Sequence, residues 1–260
     1  MIAAFRARTR LPNPLIFLAI AVAWALALAA EASGHGKQFH HDAIIEGGLN
    51  VWAALALFLV SWQVMIAAMM LPSSLPLITL FTRVAADQPR ARLARATFLG
   101  GYFVVWTGFG LMALLGDLVI HRSVDASPWL AEHSWLIASG ALLGAGVYQL
   151  TPLKDACLKA CRNPGAFLLA HYRRGVGAGF ALGRDHGLFC LGCCWALMLV
   201  SFAAGVANLT WMVAMTVIMV FEKTGTRGNR GVVPIGISLV ALGILVALHP
   251  AWLPPLFALH

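Results

Sequence analysis

The sequence predicts an all-α fold, a polytopic transmembrane helix bundle of about seven spans that forms a single membrane domain over residues 1–260. Three observations support this prediction. The chain is 60% hydrophobic and only 11% charged, with a mean hydropathy of +0.82, whereas soluble domains are about half apolar and about a quarter charged. Several apolar runs are long enough to cross a bilayer. The Lys and Arg residues are concentrated in every second loop between these runs.

Seven apolar runs can be read along the chain. The first follows three arginines and resembles a signal peptide, but its length and the further runs after it favour an uncleaved span. The second run ends at Pro72 and Pro76, which should break or bend its helix. The fourth and sixth are short, and a tight turn at 205–208 should join the fifth and sixth as a helical hairpin. The predicted spans are 14–31, 50–71, 97–120, 134–150, 188–206, 208–221 and 232–249.

The basic residues predict the orientation of these spans. All but two of the 18 Lys and Arg residues fall on one side, and the exceptions are Lys37 and Arg122. Since Lys and Arg accumulate in cytoplasmic loops, the N-terminus with Arg6, Arg8 and Arg10 is expected in the cytoplasm and the C-terminus outside. We therefore expect a multi-pass protein of the bacterial inner (cytoplasmic) membrane. Positive charge dispersed over short loops indicates the lipid bilayer as a partner and excludes nucleic acid.

The longest cytoplasmic segment, 151–187, is expected to contain a surface-lying or re-entrant helix. Within it, Gly175, Gly179, Gly183 and Gly187 recur at every fourth position. This spacing is typical of a smooth helical stripe that allows close backbone approach, and equally of a flexible glycine-rich loop. Near the inner end of the sixth run, Glu222 is expected to pair with Lys223 or a nearby arginine.

All five cysteines fall on the predicted cytoplasmic side, in the loop after the fourth span or at the inner end of the fifth. In a reducing compartment, clustered thiols indicate metal or redox chemistry more than structural disulfides. The alternative is that they are small apolar packing residues. On a helix, the third and the fifth cysteine would share a face. The five cysteines are Cys157, Cys161, Cys190, Cys193 and Cys194.

Methionines in the second span extend this candidate site. Met65 and Met69 are four residues apart and approach the same leaflet as the cysteines. Thiolate and thioether sulfurs are soft donors that favour Cu(I), and thiolates also suit Zn(II). The alternative for each methionine is gap filling in the bundle. The predicted ligand set is therefore the five cysteines with Met65 and Met69, with Cu(I) as the first metal and Zn(II) as the second.

Three blocks resemble the bacterial family of predicted metal-binding integral membrane proteins, which is defined by a domain of unknown function. The first is the run ending Ala68-Met69-Met70-Leu71-Pro72-Ser73. The second begins Tyr148-Gln149-Leu150-Thr151-Pro152 and includes Cys157 and Cys161. The third runs from Gly187 to Trp195. The resemblance implies metal binding within a membrane.

Three functions remain open from sequence. The leading hypothesis is a membrane protein that handles a soft metal by transport, storage or delivery, with a membrane metalloenzyme or a metallochaperone as partner. The second is a membrane thiol-disulfide oxidoreductase that uses Cys190 and Cys193. The third is a noncatalytic subunit of a membrane complex. Motifs of nucleotide-binding loops, zinc proteases, nucleophile elbows and kinases are missing from the sequence, so an enzyme is the less favoured reading.

Overall fold

The computed structural model describes residues 14–33, 50–203 and 208–249. The regular structure in these ranges is helical, without a strand, which confirms the predicted all-α class. A 3-10 turn, Ala85–Asp87, joins the second helix to the third. The helices are α1 (Pro14–Ala32), α2 (Val51–Val84), α3 (Ala91–Ala126), α4 (Pro128–Glu132), α5 (Trp135–Gln149), α6 (Pro152–Arg162), α7 (Pro164–His171), α8 (Val176–Ala203), α9 (Leu209–Thr224) and α10 (Gly228–Leu248).

Five of the described helices are individually long and apolar enough to cross a membrane, namely α1, α2, α3, α8 and α10. Helix α5 reaches that length only together with α6, from which it is bent by 66°. Helix α9 has 16 residues, fewer than the roughly 20 of a typical span. A helix overlaps each predicted run, but seven spans and a cytoplasmic N-terminus stay predictions. Arg6, Arg8, Arg10, Lys37 and most of the predicted 205–208 turn lie outside the described residues.

Local sequence signals explain where several helices begin. The side chain of Asn50 accepts a hydrogen bond from the Ala53 amide and caps α2. Thr151 caps α6 in the same way, with Pro152 in the first turn, and Asn208 caps α9. Such side chains satisfy amides at a helix start that have no partner within the helix, and proline is favoured at the first position.

The two prolines do not break α2, which continues through Pro72 and Pro76 to Val84. Proline has no amide hydrogen, so Pro72 leaves the carbonyl four residues earlier, that of Ala68, without its helical partner. The indole Nε1 of Trp24 on α1 donates to that carbonyl at 3.0 Å. A neighbouring helix therefore replaces the missing hydrogen bond, which is the usual way that apolar helices tolerate proline.

The glycine stripe is helical and lies where α8 packs on α3. A methyl group at Gly183 would collide with the backbone carbonyl of Phe98, and one at Gly179 would lie 2.5 Å from the Ala94 carbonyl. Gly175 instead precedes the helix with φ of 116°, a left-handed conformation that favours glycine. The four-residue spacing of the glycines therefore marks a close-packing helix and not a flexible loop. It allows α8 to pack on α3 with the two backbones nearly in contact.

A buried ion pair fixes α6 against α9. Lys154 Nζ donates to Glu222 Oε2 at 2.7 Å, and the two side chains are 0% and 2% exposed. Gln149 at the end of α5 donates to the other Glu222 oxygen at 2.6 Å and accepts from Lys154. The expected partner of Glu222, Lys223 or an arginine side chain, was therefore wrong. Arg162 donates instead to the backbone carbonyl of Glu222.

Candidate metal centre

One turn of α8 carries three buried thiols toward the interior of the bundle. Cys190, Cys193 and Cys194 are at most 1% exposed, and the spacing of three and four residues places them on one face. The thiols of Cys193 and Cys194 donate to the carbonyl of Cys190 at 3.1 and 2.8 Å. Because α8 begins at Val176, well before residue 188, the cysteines lie in the middle of this helix and not at its end.

Helix α2 contributes a thioether that differs from the predicted ones. The sulfur of Met70 lies 3.7 Å from the Cys194 sulfur. Met65 and Met69 are equally buried, but neither is among the described sulfur contacts of the cysteines. The face of α2 that reaches the site carries Met70, Ser73 and Ser74, in agreement with the helical repeat.

Helix α6 brings the remaining two cysteines to α8 from the side. The sulfurs of Cys161 and Cys193 lie 3.8 Å apart. The sulfur of Cys157 lies against the backbone of Gly192, where a methyl group would be 2.6 Å from it. Both α6 cysteines are half-buried, whereas the three on α8 are fully buried. The structure therefore places α6 and its two cysteines beside α8, with a gradient of exposure from α6 to α8.

A buried lysine that the sequence did not assign to the site lies among the thiols. Lys223, near the end of α9, is 5% exposed. Its Nζ donates to Ser73 Oγ and Cys190 Sγ, both at 3.1 Å, and lies 3.8 Å from Cys194 Sγ. The three acceptors match the three donors of an ammonium group. A lysine at the end of an apolar run normally indicates the membrane interface, so sequence gave no signal for this role.

A chain of hydrogen bonds continues from Cys190 away from Lys223. The Tyr102 hydroxyl lies 3.2 Å from the Cys190 sulfur and accepts from Ser74 at 3.2 Å. Ser74 lies 3.2 Å from His186 Nε2, and the imidazole stacks between aromatic rings, including that of Tyr102. His186 is thus linked to the site through two hydroxyl groups, without contacting a thiol.

The sulfurs form pairs and not a closed ring of ligands. Within residues 14–33, 50–203 and 208–249, no group of three or more His, Cys, Asp or Glu side chains is arranged to hold a metal ion. The sulfurs of Cys161 and Cys193 are 3.8 Å apart, and the sulfurs of Cys194 and Met70 are 3.7 Å apart. The five cysteines are free thiols, so their sulfurs are available as soft donors.

A family model matches residues 59–246, and it is described as PpoB2, a copper chaperone. The matched range contains all seven predicted ligands together with Met70 and Lys223. No curated protein and no solved structure matched the chain significantly. The family match confirms the coarser expectation of a metal-related protein that handles copper, with a metal ion as partner.

Proposed function

This chain belongs to the PpoB2 copper chaperone family, and we propose that it binds Cu(I) among the buried thiols and delivers it to a membrane metalloenzyme. The ligands predicted from sequence are the five cysteines and two methionines, namely Cys157, Cys161, Cys190, Cys193, Cys194, Met65 and Met69. We assign the principal roles to Cys190 and Cys194, with Met70 as the thioether in place of Met65 and Met69.

One observation carries the proposal. Cys194 lies beside the Met70 sulfur and one helical turn after Cys190, in the buried interior of the bundle. Thiolate and thioether sulfurs are soft donors that favour Cu(I). Burial also protects a reduced metal ion and its thiolates from oxidation.

The pairing of sulfurs favours Cu(I) over the second candidate, Zn(II). Structural zinc sites are closed by four ligands in tetrahedral geometry, and the described residues contain no group of three or more His, Cys, Asp or Glu side chains that could hold a metal. Cu(I) forms stable complexes with fewer sulfur donors. The sulfur pairs therefore suit copper better than zinc.

The gradient of exposure supports delivery in preference to storage. A chaperone passes its metal by ligand exchange, so some thiols must be within reach of a partner while others hold the ion. Cys157 and Cys161 are half-buried on α6, and Cys161 contacts Cys193. We propose that these two thiols exchange copper with the partner, while Cys190 and Cys194 retain it.

Thiol-disulfide exchange has less support. A redox pair must present a reactive thiol to its substrate. Cys190 and Cys193 are 0% and 1% exposed, and their sulfurs contact Lys223 and Cys161 respectively.

We also propose that this chemistry takes place in the bacterial inner membrane, with the N-terminus in the cytoplasm. The five long apolar helices are compatible with a bilayer, and the distribution of Lys and Arg supports the orientation. A reporter fused after His260 should be active only outside the cytoplasm. Cytoplasmic activity of that fusion would reject the orientation and the count of seven spans.

The metal site is tested by titrating the purified protein with Cu(I) under anaerobic conditions against a competing chelator. We expect stoichiometric binding, and loss of the tight site in the Cys190→Ser/Cys194→Ser variant. The control is Cys157→Ser, which removes a half-buried thiol and should retain tight binding. Absence of copper binding in the unaltered protein would reject the proposed function, and equal binding by the double variant would reject the ligand assignment.

Delivery is separated from transport by reconstituting the protein in lipid vesicles. A chaperone loaded with Cu(I) should lose it to a soluble thiol acceptor on one side of the vesicle, without copper appearing inside. We expect Cys157→Ser/Cys161→Ser to slow this transfer while the equilibrium affinity changes little. Protein-dependent accumulation of copper in the vesicle lumen would favour transport.

A further inference from the structure

Lys223 is a buried cation with thiols as its main neighbours. Its Nζ contacts two sulfurs and one hydroxyl oxygen, and the side chain lies within the bundle, not at its surface. A buried ammonium is stable only when it is paired and hydrogen-bonded, since an isolated one loses its hydration energy without compensation. The neutralising charge for Lys223 must therefore be identified.

The adjacent carboxylate does not provide that charge. Glu222 precedes Lys223 in the sequence, but its two oxygens accept from Lys154 at 2.7 Å and from Gln149 at 2.6 Å. Lys154 and Glu222 form a pair with no net charge. The anionic groups in contact with Lys223 are then the sulfurs of Cys190 and Cys194, once these are thiolates.

We propose that Lys223 is the counter-ion of the cysteine site and that it restricts this site to monovalent metal ions. This inference rests on the proposed copper site. When Cu(I) binds to Cys190 and Cys194, the thiol protons leave to solvent and two thiolates remain. Two negative thiolates, one positive copper ion and one positive ammonium sum to zero. Met70 is neutral and does not change that sum.

A divalent ion at the same ligands leaves an excess positive charge inside the protein. With Zn(II) or Cd(II) the same groups sum to plus one, and a buried charge without a partner costs several kcal/mol. The soft sulfur ligands alone would not exclude Cd(II), because Cd(II) also binds thiolates strongly. The charge of Lys223, which is not a ligand, would therefore exclude divalent ions that the sulfur ligands accept.

The test compares the affinities of the full-length protein for monovalent and divalent soft metals. Cu(I) and Ag(I) are titrated against Cd(II) and Zn(II) under anaerobic conditions in detergent. We expect Lys223→Met to lower the ratio of Cu(I) to Cd(II) affinity by on the order of a hundredfold. Ag(I) should follow Cu(I), and Lys223→Arg, which keeps the charge, should keep most of the preference.

Two further variants keep the test decisive. Lys154→Met combined with Glu222→Gln removes both charges of the neighbouring buried ion pair, so the net charge near the site stays the same and the metal preference should be unchanged. Lys223→Gln is a second neutral variant, to be used if Lys223→Met does not elute as a folded protein. A neutral variant with the metal preference of the unaltered protein would overturn the proposal. So would an equal loss of preference in Lys223→Arg, because shape and not charge would then be responsible.

The measurements distinguish a wrong role for Lys223 from a wrong copper site. If the copper site is wrong, the unaltered protein binds no Cu(I), and cysteine substitutions have no effect. If only the role of Lys223 is wrong, the unaltered protein binds Cu(I) through Cys190 and Cys194 while the neutral variants discriminate between metals as it does.

Discussion

The buried ion pair between Lys154 on α6 and Glu222 on α9 can be tested against an exposed ion pair within α6. Lys154 and Glu222 are 2.7 Å apart and 0% and 2% exposed. The Lys154→Met variant leaves the Glu222 carboxylate inside the bundle with only Gln149 as a side-chain partner. Removing one partner of a buried pair typically costs about 3–5 kcal/mol, and we expect the free energy of unfolding to fall by that amount.

The matched control is Lys159→Met. Lys159 lies on the same helix, and its Nζ is 2.6 Å from an oxygen of Asp155, but the two side chains are 71% and 58% exposed. Water screens that pair, so its removal should cost less than about 1 kcal/mol. Both variants are measured by unfolding in detergent under reducing conditions. Equal destabilisation by the two substitutions would refute the assignment of burial as the cause.

A double variant completes the cycle. Lys154→Met combined with Glu222→Gln removes both charges, and replacing a buried pair by neutral groups is often close to neutral for stability. We therefore expect the double variant to regain most of the stability lost in Lys154→Met. A double variant as unstable as the sum of the single substitutions would show that packing, and not the uncompensated charge, dominates at this position.

Three further predictions concern packing and ligation. In a chelator competition assay, Met70→Leu should lower Cu(I) affinity at least about tenfold, whereas Met69→Leu should leave it unchanged. Both substitutions conserve side-chain volume, so each should lower the free energy of unfolding by less than about 1.5 kcal/mol. Gly183→Ala should destabilise the protein by about 1–3 kcal/mol through overpacking, while Gly144→Ala, which meets open space, should leave the unfolding temperature unchanged or higher. Trp24→Phe should cost about 1–3 kcal/mol in the same assay, because it removes the donor to the carbonyl freed by the first proline of α2.

Sequence predicted the helices well because their signals are local. Apolar runs and capping residues act within a few turns, so a helix overlaps every predicted run, although the fifth run was expected to begin at residue 188 and α8 begins at Val176. The glycine spacing allowed both a packed helix and a flexible loop, and the structure decides for the helix. The clustering of the cysteines could be anticipated, since three of them share one helical turn. In contrast, the choice between Met69 and Met70 depends on the rotation of α2 in the bundle, and successive residues point about 100° apart around a helix.

The charges were less predictable because their partners are distant in sequence. Glu222 lies next to Lys223 but pairs with Lys154, 68 positions away, and Lys223 contacts Cys190, 33 positions away. Neither separation follows a helical repeat. Only the packing of α6, α8 and α9 decides which lysine neutralises the carboxylate and which one faces the thiols.

The close contact of α3 and α8 also gives one side of the cysteine site a main-chain support. Gly179 and Gly183 bring two backbones together without intervening side chains, so sliding of one helix past the other would meet main-chain atoms at once. The cysteines of α8 and Tyr102 of α3 therefore lie on a closely packed pair of helices. On the other side lies α6, a short helix with one buried face and one exposed face, joined to α5 by a bend of 66°. The two half-buried thiols, Cys157 and Cys161, lie on this short helix, so the more exposed part of the cysteine site and its closely packed part belong to different helices.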